Sequence, residues 1–328
     1  TTRMHTLFHA GNIPLSMNAV WELLADSEQI IVLTHTHADL DSVGSAVGIA
    51  ATVDATVDIA TPGGVASEAK PLLAESHVVS DPDLASYDLQ VVVDAPSRQR
   101  IAPLDPTAND TPLVVIDHHE PADLQSAATA TCIDTDAPAT ALLVTDILQA
   151  SAQPVPPLAA AALAAGALDD TGFRAVVMPG VQDTVLWLLE RSSERTALLL
   201  DLWQREPSWS ERMAAAKAVV RTSGYKAGQT ILLVSSVGGE ETAAIRALLQ
   251  GQPDIAVVLS ERGDRTRVVA RRAQSLDSLS LPEDVLEPLA DEFGGSAGGH
   301  AGAGTAKLAS GRTDEIESRA IEHVESAL

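Results

Sequence analysis

Four continuous apolar runs constrain the fold of this chain most strongly. They are IIVL (30–33), VDIA (57–60), LQVVVD (89–94) and LVVID (113–117). Apolar runs without alternation are typical of parallel strands that are covered on both faces. Helix-compatible stretches accompany them at 42–53, 139–151 and 157–168. This pattern predicts an α/β fold built on a parallel sheet.

The second half of the chain follows a different pattern. A helix-rich stretch covers residues 181–222, and the segment SGYKAGQ (223–229) is typical of a turn. Two further apolar runs (231–237 and 255–260), a helix at 239–252, a hairpin turn in ERGDRTR (261–267) and a terminal helix then predict a smaller α+β domain. We therefore predict a first domain at 1–190, a helical linker at 191–225 and a second domain at 226–328.

The charge of the chain limits its partners and its environment. The formal net charge is −24, from 45 acidic and 21 basic residues among 328. Such a surface favours a protein that works in very high salt, as in a halophilic archaeon, because a Debye length of ~3 Å near 1 M salt screens self-repulsion. An ordinary acidic cytoplasmic protein is the alternative. The charge argues against a broad grip on long duplex nucleic acid, and it leaves room for a small anionic substrate held by metals and a few arginines.

Cysteine content and hydropathy bear on location. Cys132 is the single cysteine, so an intrachain disulfide and a multi-cysteine zinc site are excluded. No apolar run approaches the ~20 residues of a membrane-spanning helix. The segment TTRMHTLFHAGNIPLS (1–16) lacks the pattern of a signal peptide. We expect a cytoplasmic protein with no membrane partner.

Clusters of carboxylates and imidazoles follow the predicted elements. The segment THTHADLDSVGSA (34–46) holds His35, Asp39 and Asp41, and the other clusters are Asp94, Asp117-His118-His119 and Asp169-Asp170. Ligands of open α/β sheets bind outside the carboxyl ends of the strands. A single aspartate there is most often a helix cap or a turn residue. Three titratable groups in a row are costly to bury unless they are paired or bind a metal, so the four clusters together predict a metal site.

The donor types indicate which metal would bind. Carboxylate and imidazole donors without thiolate suit Mn²⁺, with Mg²⁺ or Co²⁺ as alternatives. Two ions are indicated because the donors exceed one octahedron that also keeps open positions. Two ions ~3.5–4 Å apart can clamp a phosphoryl group.

Four motifs resemble those of the DHH phosphoesterase superfamily. They are HTHADLDSVGSA, VVVD, VIDHH and LDDTGF, and the run FGGSAGGHAGAG (293–304) is similar to the Gly-rich GGGH signature of the associated DHHA1 domain. The resemblance extends from about residue 16 to 310. It implies a DHH catalytic domain followed by a DHHA1 substrate-binding domain. The superfamily includes RecJ-type exonucleases, oligoribonucleases that also act on 3′-phosphoadenosine 5′-phosphate, cyclic-di-AMP phosphodiesterases and manganese pyrophosphatases.

The resemblance also implies roles for individual residues. One metal ion would be held by His35, Asp39 and Asp94, and the other by Asp41, Asp94, His118 and Asp170, with Asp94 bridging. His119 would face the substrate phosphate or leaving group, and Asp117 would orient a ligand histidine. Ala38 stands where the family pattern usually has proline, which changes the stiffness of the loop. His37 and Asp169 are neighbours of the ligands without an assigned role.

The Gly-rich run is expected to be a loop whose uncrowded backbone N–H groups wrap an anion. The resemblance implies that Gly298, Gly299 and His300 contact the substrate there. It also assigns Arg271, next to Arg272, to the substrate. Arg98, which follows VVVDAPS, is a further candidate.

These observations predict an Mn²⁺-dependent phosphoesterase that uses a metal-activated hydroxide. The expected substrates are short single-stranded oligonucleotides or small nucleotides, as for oligoribonucleases and 3′-phosphoadenosine 5′-phosphate phosphatases. Alternatives are a cyclic-di-AMP or pApA phosphodiesterase and, from another class, a nucleotide-binding regulatory protein without turnover. The resemblance also implies a homodimer.

Overall fold

The computed structural model describes residues 15–204, 206–273, 275–276, 278–309 and 312–328. Residues 1–14, which carry most of the segment from which the absence of a signal peptide was predicted, lie outside the described residues. The chain divides into two compact units, the first ending at Arg205 and the second beginning at Glu206. This division falls within the predicted linker of residues 191–225.

The first unit is built on a six-stranded parallel sheet of order β3-β2-β1-β4-β5-β6. Its strands are β1 (Gln29–Leu33), β2 (Thr56–Ala60), β3 (His77–Val79), β4 (Leu89–Val93), β5 (Leu113–Asp117) and β6 (Ala130–Ile133). Its helices are α1 (Leu15–Asp26), α2 (Leu40–Ala50), α3 (Arg98–Ile101), α4 (Asp123–Ala127), α5 (Thr140–Ala150), α6 (Pro157–Asp170), α7 (Gln182–Arg191) and α8 (Thr196–Gln204). The predicted α/β class is confirmed.

The central strands are buried on both faces, which explains their unbroken apolar sequence. Ile30 and Val32 of β1 join the core on one side of the sheet, whereas Ile31 and Leu33 join the core on the other side. Successive strand side chains point to opposite faces, so each residue of the run enters one core or the other. Burial of each such aliphatic side chain contributes about 1.5–3 kcal/mol.

Two glycines let α2 and α6 approach closely. A Cβ atom on Gly44 would lie 2.4 Å from the carbonyl oxygen of Ala162, and one on Gly166 would lie 2.9 Å from Cα of Asp41. Any larger residue at either position would push the two helices apart. This packing holds Asp41 against α6.

The second unit contains a six-stranded mixed sheet of order β11-β12-β10-β9-β8-β7. Its strands are β7 (Ser223–Ala227), β8 (Thr230–Val237), β9 (Ile255–Arg262), β10 (Arg265–Arg272), β11 (Gly295–His300) and β12 (Ala303–Leu308), of which only the pair β8–β9 is parallel. Its helices are α9 (Trp209–Arg221), α10 (Glu241–Leu249), α11 (Glu287–Phe293) and α12 (Thr313–Ala327), with one π-helical stretch at Leu281–Leu286. The hairpin predicted within 261–267 is confirmed, and its turn contains Gly263 at φ +68°.

Two predictions for the second unit are wrong. The segment 223–229 is not only a turn, because Ser223–Ala227 form β7, and the turn is confined to Gly228 (φ +61°) and Gln229. The Gly-rich run is not a loop, because Gly295–His300 form an edge strand paired with β12. Both segments are edge strands of small or polar residues, so neither has the apolar signal of a buried strand.

Within the described residues, no helix is both long and apolar enough to span a membrane.

Candidate metal centre

The strand order brings the predicted residues to one edge of the first sheet. The strands β1, β4 and β5 are adjacent and parallel, so their carboxyl ends meet. His35 follows β1, Asp94 follows β4, and Asp117 ends β5 just before His118. Two helices supply the remaining carboxylates, which are Asp39 at the N-cap of α2, Asp41 in its first turn and Asp170 at the last residue of α6.

Three groups of donor atoms converge at this edge. They are His35, Asp39 and Asp94; Asp41, His118 and Asp170; and Asp94, His118 and His119. In each group the donor atoms lie within 4.8 Å of one another. The first group consists of the three residues that the resemblance assigned to one metal ion. The second group contains three of the four residues assigned to the other ion and lacks Asp94.

Asp94 stands between these groups. Its Oδ2 atom lies 3.4 Å from Nε2 of His35, and its Oδ1 atom lies 3.5 Å from both Nε2 of His118 and Nδ1 of His119. Its backbone adopts φ +59°, a conformation that costs a non-glycine residue about 1–3 kcal/mol. In this conformation the carboxylate is oriented so that each oxygen faces a different donor group.

His35 presents one ring nitrogen to the centre. Its Nδ1 atom is 2.9 Å from the carbonyl oxygen of Thr36, which fixes the ring and leaves Nε2 as the inward atom. Nε2 is buried without a hydrogen-bond partner and faces the carboxylates of Asp39 and Asp94 at 3.5 and 3.4 Å. Burial lowers the pKa of His35, but these two carboxylates raise it to about 10. This raised pKa means that the ring holds a proton near pH 7, and a cation bound at Nε2 would replace it.

Asp41, in the first turn of α2, is completely buried against the start of α5. Its Oδ2 accepts the backbone N–H of Thr140 at 2.7 Å, and its Oδ1 accepts that of Ala141 at 2.8 Å. The helix therefore fixes the direction of both oxygens. Thr140 also donates its hydroxyl to Oδ1 of Asp94 at 3.0 Å.

The two histidines that follow β5 have different partners. His118 has Nδ1 3.2 Å from the carbonyl oxygen of Ala137, and its Nε2 lies 3.4 Å from Oδ2 of Asp170. His119 has Nδ1 2.8 Å from Oδ1 of the buried Asp117. The carboxylate of Asp117 thus orients His119, which belongs to one of the three donor groups. Burial lowers the pKa of His119, but Asp117 and Asp94 raise it overall.

Repulsion among the carboxylates indicates that the centre is made for a cation. Desolvation, together with the charges of Asp94, Asp39 and Asp169, raises the pKa of Asp170 to about 7. Burial and the charges of Asp94, Asp170 and Asp39 raise the pKa of Asp41 well above its usual range. A divalent cation would relieve this repulsion and favour the charged carboxylates. The donor set, the inward Nε2 of His35 and the crowded carboxylates all fit divalent metal binding.

Arg100 lies near the centre and was not among the predicted residues. Burial raises the pKa of Asp39, but the adjacent ring of His35, the N–H of Ser42 and the charge of Arg100 lower it overall. The charge of Arg100 also acts on His119. The predicted candidate Arg98 instead pairs with Asp123, with Nε 2.7 Å from Oδ2.

The structure also locates the residues whose role was left open. His37 is exposed at φ +64° and belongs to none of the three donor groups. Ala38 donates its N–H to the carbonyl oxygen of Gly64, a bond that the proline of the family pattern would not form. Asp169 precedes the donor Asp170 and is one of the charges that raise its pKa.

The substrate residues predicted for the second unit lie on its last strands. Arg271 is on β10, where its Nη1 donates to the carbonyl oxygen of Ala270, and burial followed by the charge of Arg246 lowers its pKa. Gly298 and Gly299 are on β11. A Cβ atom on Gly299 would lie 2.2 Å from the carbonyl oxygen of Ala303, so only glycine fits beside β12. The side chain of His300 lies outside the described residues.

Comparison with known proteins agrees with this geometry. Residues 29–167 match the model described as the DHH family, N-terminal domain. This part of the chain, which lies in the first unit, belongs to the DHH family. A DHH-family domain indicates a metal-dependent phosphoesterase, a hydrolase of phosphoric esters.

Three known proteins resemble this chain over most of its length. An uncharacterized protein of Methanocaldococcus jannaschii is 23% identical over 289 residues, which cover 84% of this chain and 86% of that protein. An exopolyphosphatase-related protein from Bacteroides fragilis superposes with a TM-score of 0.79 at 16% identity, covering 97% and 98% of the two chains. The DHH domain of a member of the s1p family of ribosomal proteins gives a TM-score of 0.56 at 14% identity, covering 95% and 89%. The two structural likenesses show a shared fold.

Proposed function

We propose that this DHH protein uses two Mn²⁺ ions to hydrolyse phosphodiester or phosphomonoester bonds in short oligonucleotides or small nucleotides. The observation that carries the proposal is the position of Asp94, whose two oxygens face different donor groups. A carboxylate shared in this way can serve two cations. Mg²⁺ or Co²⁺ suits the same donors.

Each donor group would have a defined part. His35 and Asp39 would hold one cation with Asp94, and Asp41, His118 and Asp170 would hold the other. When bound, the two cations would lower the pKa of a water molecule and neutralise charge on the phosphoryl oxygens. Fixed carbonyl and N–H partners already orient His35, His118 and Asp41, so little reorganisation is needed when the substrate arrives.

His119 is suited to contact the phosphate or the leaving oxygen. Its Nδ1 is engaged by Asp117, so we assign the other ring nitrogen, Nε2, to the substrate. Because the pKa of this ring is raised, it can carry a proton and donate it to a departing oxygen. Asp117 keeps the ring in that orientation.

The second unit would contribute substrate contacts. Arg271 supplies a cation and His300 an imidazole, while Gly298 and Gly299 leave the backbone of the edge strand β11 uncrowded. These assignments rest on the resemblance to the DHHA1 signature. The net charge of −24 supports a small substrate, since a long nucleic acid would be repelled wherever no metal or arginine faces it. A homodimer is part of the same proposal.

A substrate panel tests the function. The purified protein is assayed with Mn²⁺ in molar KCl on two- to five-nucleotide RNA and DNA, cyclic di-AMP, pApA and 3′-phosphoadenosine 5′-phosphate. Inorganic polyphosphate is included because the similar Bacteroides fragilis protein is called exopolyphosphatase-related.

We expect turnover of short oligonucleotides or 3′-phosphoadenosine 5′-phosphate that stops when EDTA removes the metal. Preference for cyclic di-AMP or pApA would favour the alternative phosphodiesterase. Binding of nucleotides without any turnover would favour a regulatory protein and would contradict the proposal.

A further inference from the structure

Thr140 contacts two of the proposed metal ligands at once. Its backbone N–H donates to Oδ2 of Asp41 at 2.7 Å, and its hydroxyl donates to Oδ1 of Asp94 at 3.0 Å. All three residues are at most 3% exposed. Asp41 lies on α2 and Asp94 follows β4, so a single residue of α5 ties together donors from two separate elements.

The hydroxyl contact falls on the oxygen that matters most for the position of Asp94. Oδ1 is the atom that faces His118 and His119, while Oδ2 faces His35. The backbone of Asp94 is in a left-handed conformation, which a non-glycine residue keeps only when surrounding contacts hold it. A hydrogen bond to Oδ1 therefore fixes the rotation of the carboxylate about its last bond.

The start of α5 gives Thr140 its precise placement. The N-cap residue Ala139 has no side chain that could cap the helix, and the carboxylate of Asp41 accepts the N–H groups of Thr140 and Ala141 in its place. Asp41 thus caps α5 while α5 orients Asp41. The hydroxyl of Thr140 extends this link to Asp94.

We propose that Thr140 is a positioning residue of the metal centre, which sets the direction of Asp94 through its hydroxyl and that of Asp41 through its N–H. The inference rests on the proposed binding of Mn²⁺ by these aspartates. Partners that orient metal ligands typically affect metal affinity by 10–100-fold. Thr140 was not predicted from the sequence.

The test separates the effect of losing the Thr140 hydroxyl from a general effect of the substitution on folding. Thr140→Val removes the hydroxyl, keeps the volume and leaves the N–H bond to Asp41, whereas Thr140→Ser keeps the hydroxyl. Thr145→Val is the matched control, because Thr145 is equally buried on the same helix and donates its hydroxyl to the carbonyl oxygen of Ala141. Mn²⁺ affinity is measured by calorimetry on the full chain, and urea unfolding of each variant is measured without metal.

We expect Thr140→Val to weaken Mn²⁺ binding at least ~10-fold and to raise the Mn²⁺ concentration needed for half-maximal turnover by a similar factor. Thr140→Ser and Thr145→Val should bind Mn²⁺ within about twofold of the unmodified protein. A change of that size is smaller than the at least ~10-fold loss expected when a metal ligand loses its orienting partner. Unchanged binding by Thr140→Val, or an equal loss in Thr145→Val or Thr140→Ser, would overturn the role of Thr140. If the unmodified chain binds no Mn²⁺, the proposed function itself fails.

Discussion

The Nε2 atom of His35 lies 3.4 Å from Oδ2 of Asp94, and both side chains are buried. The distance is longer than a normal hydrogen bond, and Nε2 has no hydrogen-bond partner. Two donors that face each other across such a gap suit a common ion better than a direct hydrogen bond, in line with the proposed metal centre.

Asp170 and Asp169 should differ sharply although they are adjacent. Asp170 lies 3.4 Å from His118 and belongs to a donor group, whereas Asp169 does not. Asp170→Asn should lower Mn²⁺ affinity by on the order of 100-fold or more, since loss of a ligand costs at least as much as loss of its supporting partner. Asp169→Asn should change it less than about tenfold on the same scale. Calorimetric titration of both variants measures these affinities. Equal losses of Mn²⁺ affinity would show that Asp170 has been assigned wrongly as the ligand.

Metal binding should release protons. The pKa of Asp170 is raised to about 7 and that of His35 to about 10, so both hold protons near pH 7 when no metal is bound. Cation binding must displace these protons, so apparent Mn²⁺ affinity should fall as pH decreases below about 10, where His35 takes up its proton. It should fall more steeply below about 7, where Asp170 is protonated as well. Titrations at pH 7 in two buffers of different ionisation enthalpy should show release of at least about one proton per chain. Binding without proton release would contradict these protonation states.

The same shift has a consequence for stability. The pKa of Asp170 is raised in the folded chain, so the folded state binds this proton more tightly than the unfolded state does. The stability that this proton contributes is fully present below 3.8, the pKa of the group in the unfolded chain. It is lost as pH rises through about 7, the pKa in the folded chain. Urea unfolding without metal should show this loss, and Mn²⁺ should reverse it at pH 7 and above.

Arg100 should contribute more to turnover than Arg98. The charge of Arg100 acts on Asp39 and His119, whereas Arg98 is paired with Asp123. Arg100→Ala should lower kcat/KM about tenfold, equivalent to about 1.4 kcal/mol, because an anionic substrate loses a nearby cation. Arg98→Ala, a matched change in the same short helix, should have little effect. Steady-state kinetics on both variants checks this, and the reverse order would support Arg98 as the arginine that contacts the substrate.

Glu241 should stabilise the second unit in a pH-dependent way. This carboxylate is buried at the start of α10 and accepts hydrogen bonds from Ser260 at 2.5 Å and Arg262 at 2.9 Å. Burial raises its pKa, but these bonds lower it overall, so their contribution is present above the unfolded value of 4.5 and is lost at lower pH. Glu241→Gln should cost about 1–3 kcal/mol in urea unfolding at pH 7.

The exposed neighbour Glu240 provides the control. Glu240→Gln should stay within about 0.5 kcal/mol of the unmodified protein, as is usual for surface substitutions. The variant Glu241→Gln should also lose less stability than the unmodified protein between pH 5 and pH 3. Equal destabilisation by both variants would show that the buried contacts of Glu241 are not the cause.

The buried elements could be predicted from the sequence because burial leaves a local signal. IIVL (30–33) and LVVID (113–117) correspond closely to β1 and β5, and the carboxylates and histidines that follow them meet at one edge of the sheet. The Gly-rich run has no such signal, since its strand is held by backbone pairing with β12. Its small residues are equally typical of a loop.

Other features of the centre could not be predicted from local pattern. Thr140 lies in an apolar helix, and its partner Asp94 is 46 residues away, so only the fold brings them together. Arg98 and Arg100 share one short helix, and only their orientation separates a surface ion pair from a charge near the centre. The conformations of His37 and Asp94, both at positive φ, likewise depend on tertiary contacts.

The most direct test is an Mn²⁺ titration of the unmodified chain and of Asp94→Asn, combined with turnover of a short oligonucleotide. We predict two Mn²⁺ ions per unmodified chain, and in Asp94→Asn a loss of tight binding with turnover reduced by on the order of 100-fold or more. Full Mn²⁺ binding and turnover in Asp94→Asn would contradict the assignment of this carboxylate as the shared ligand.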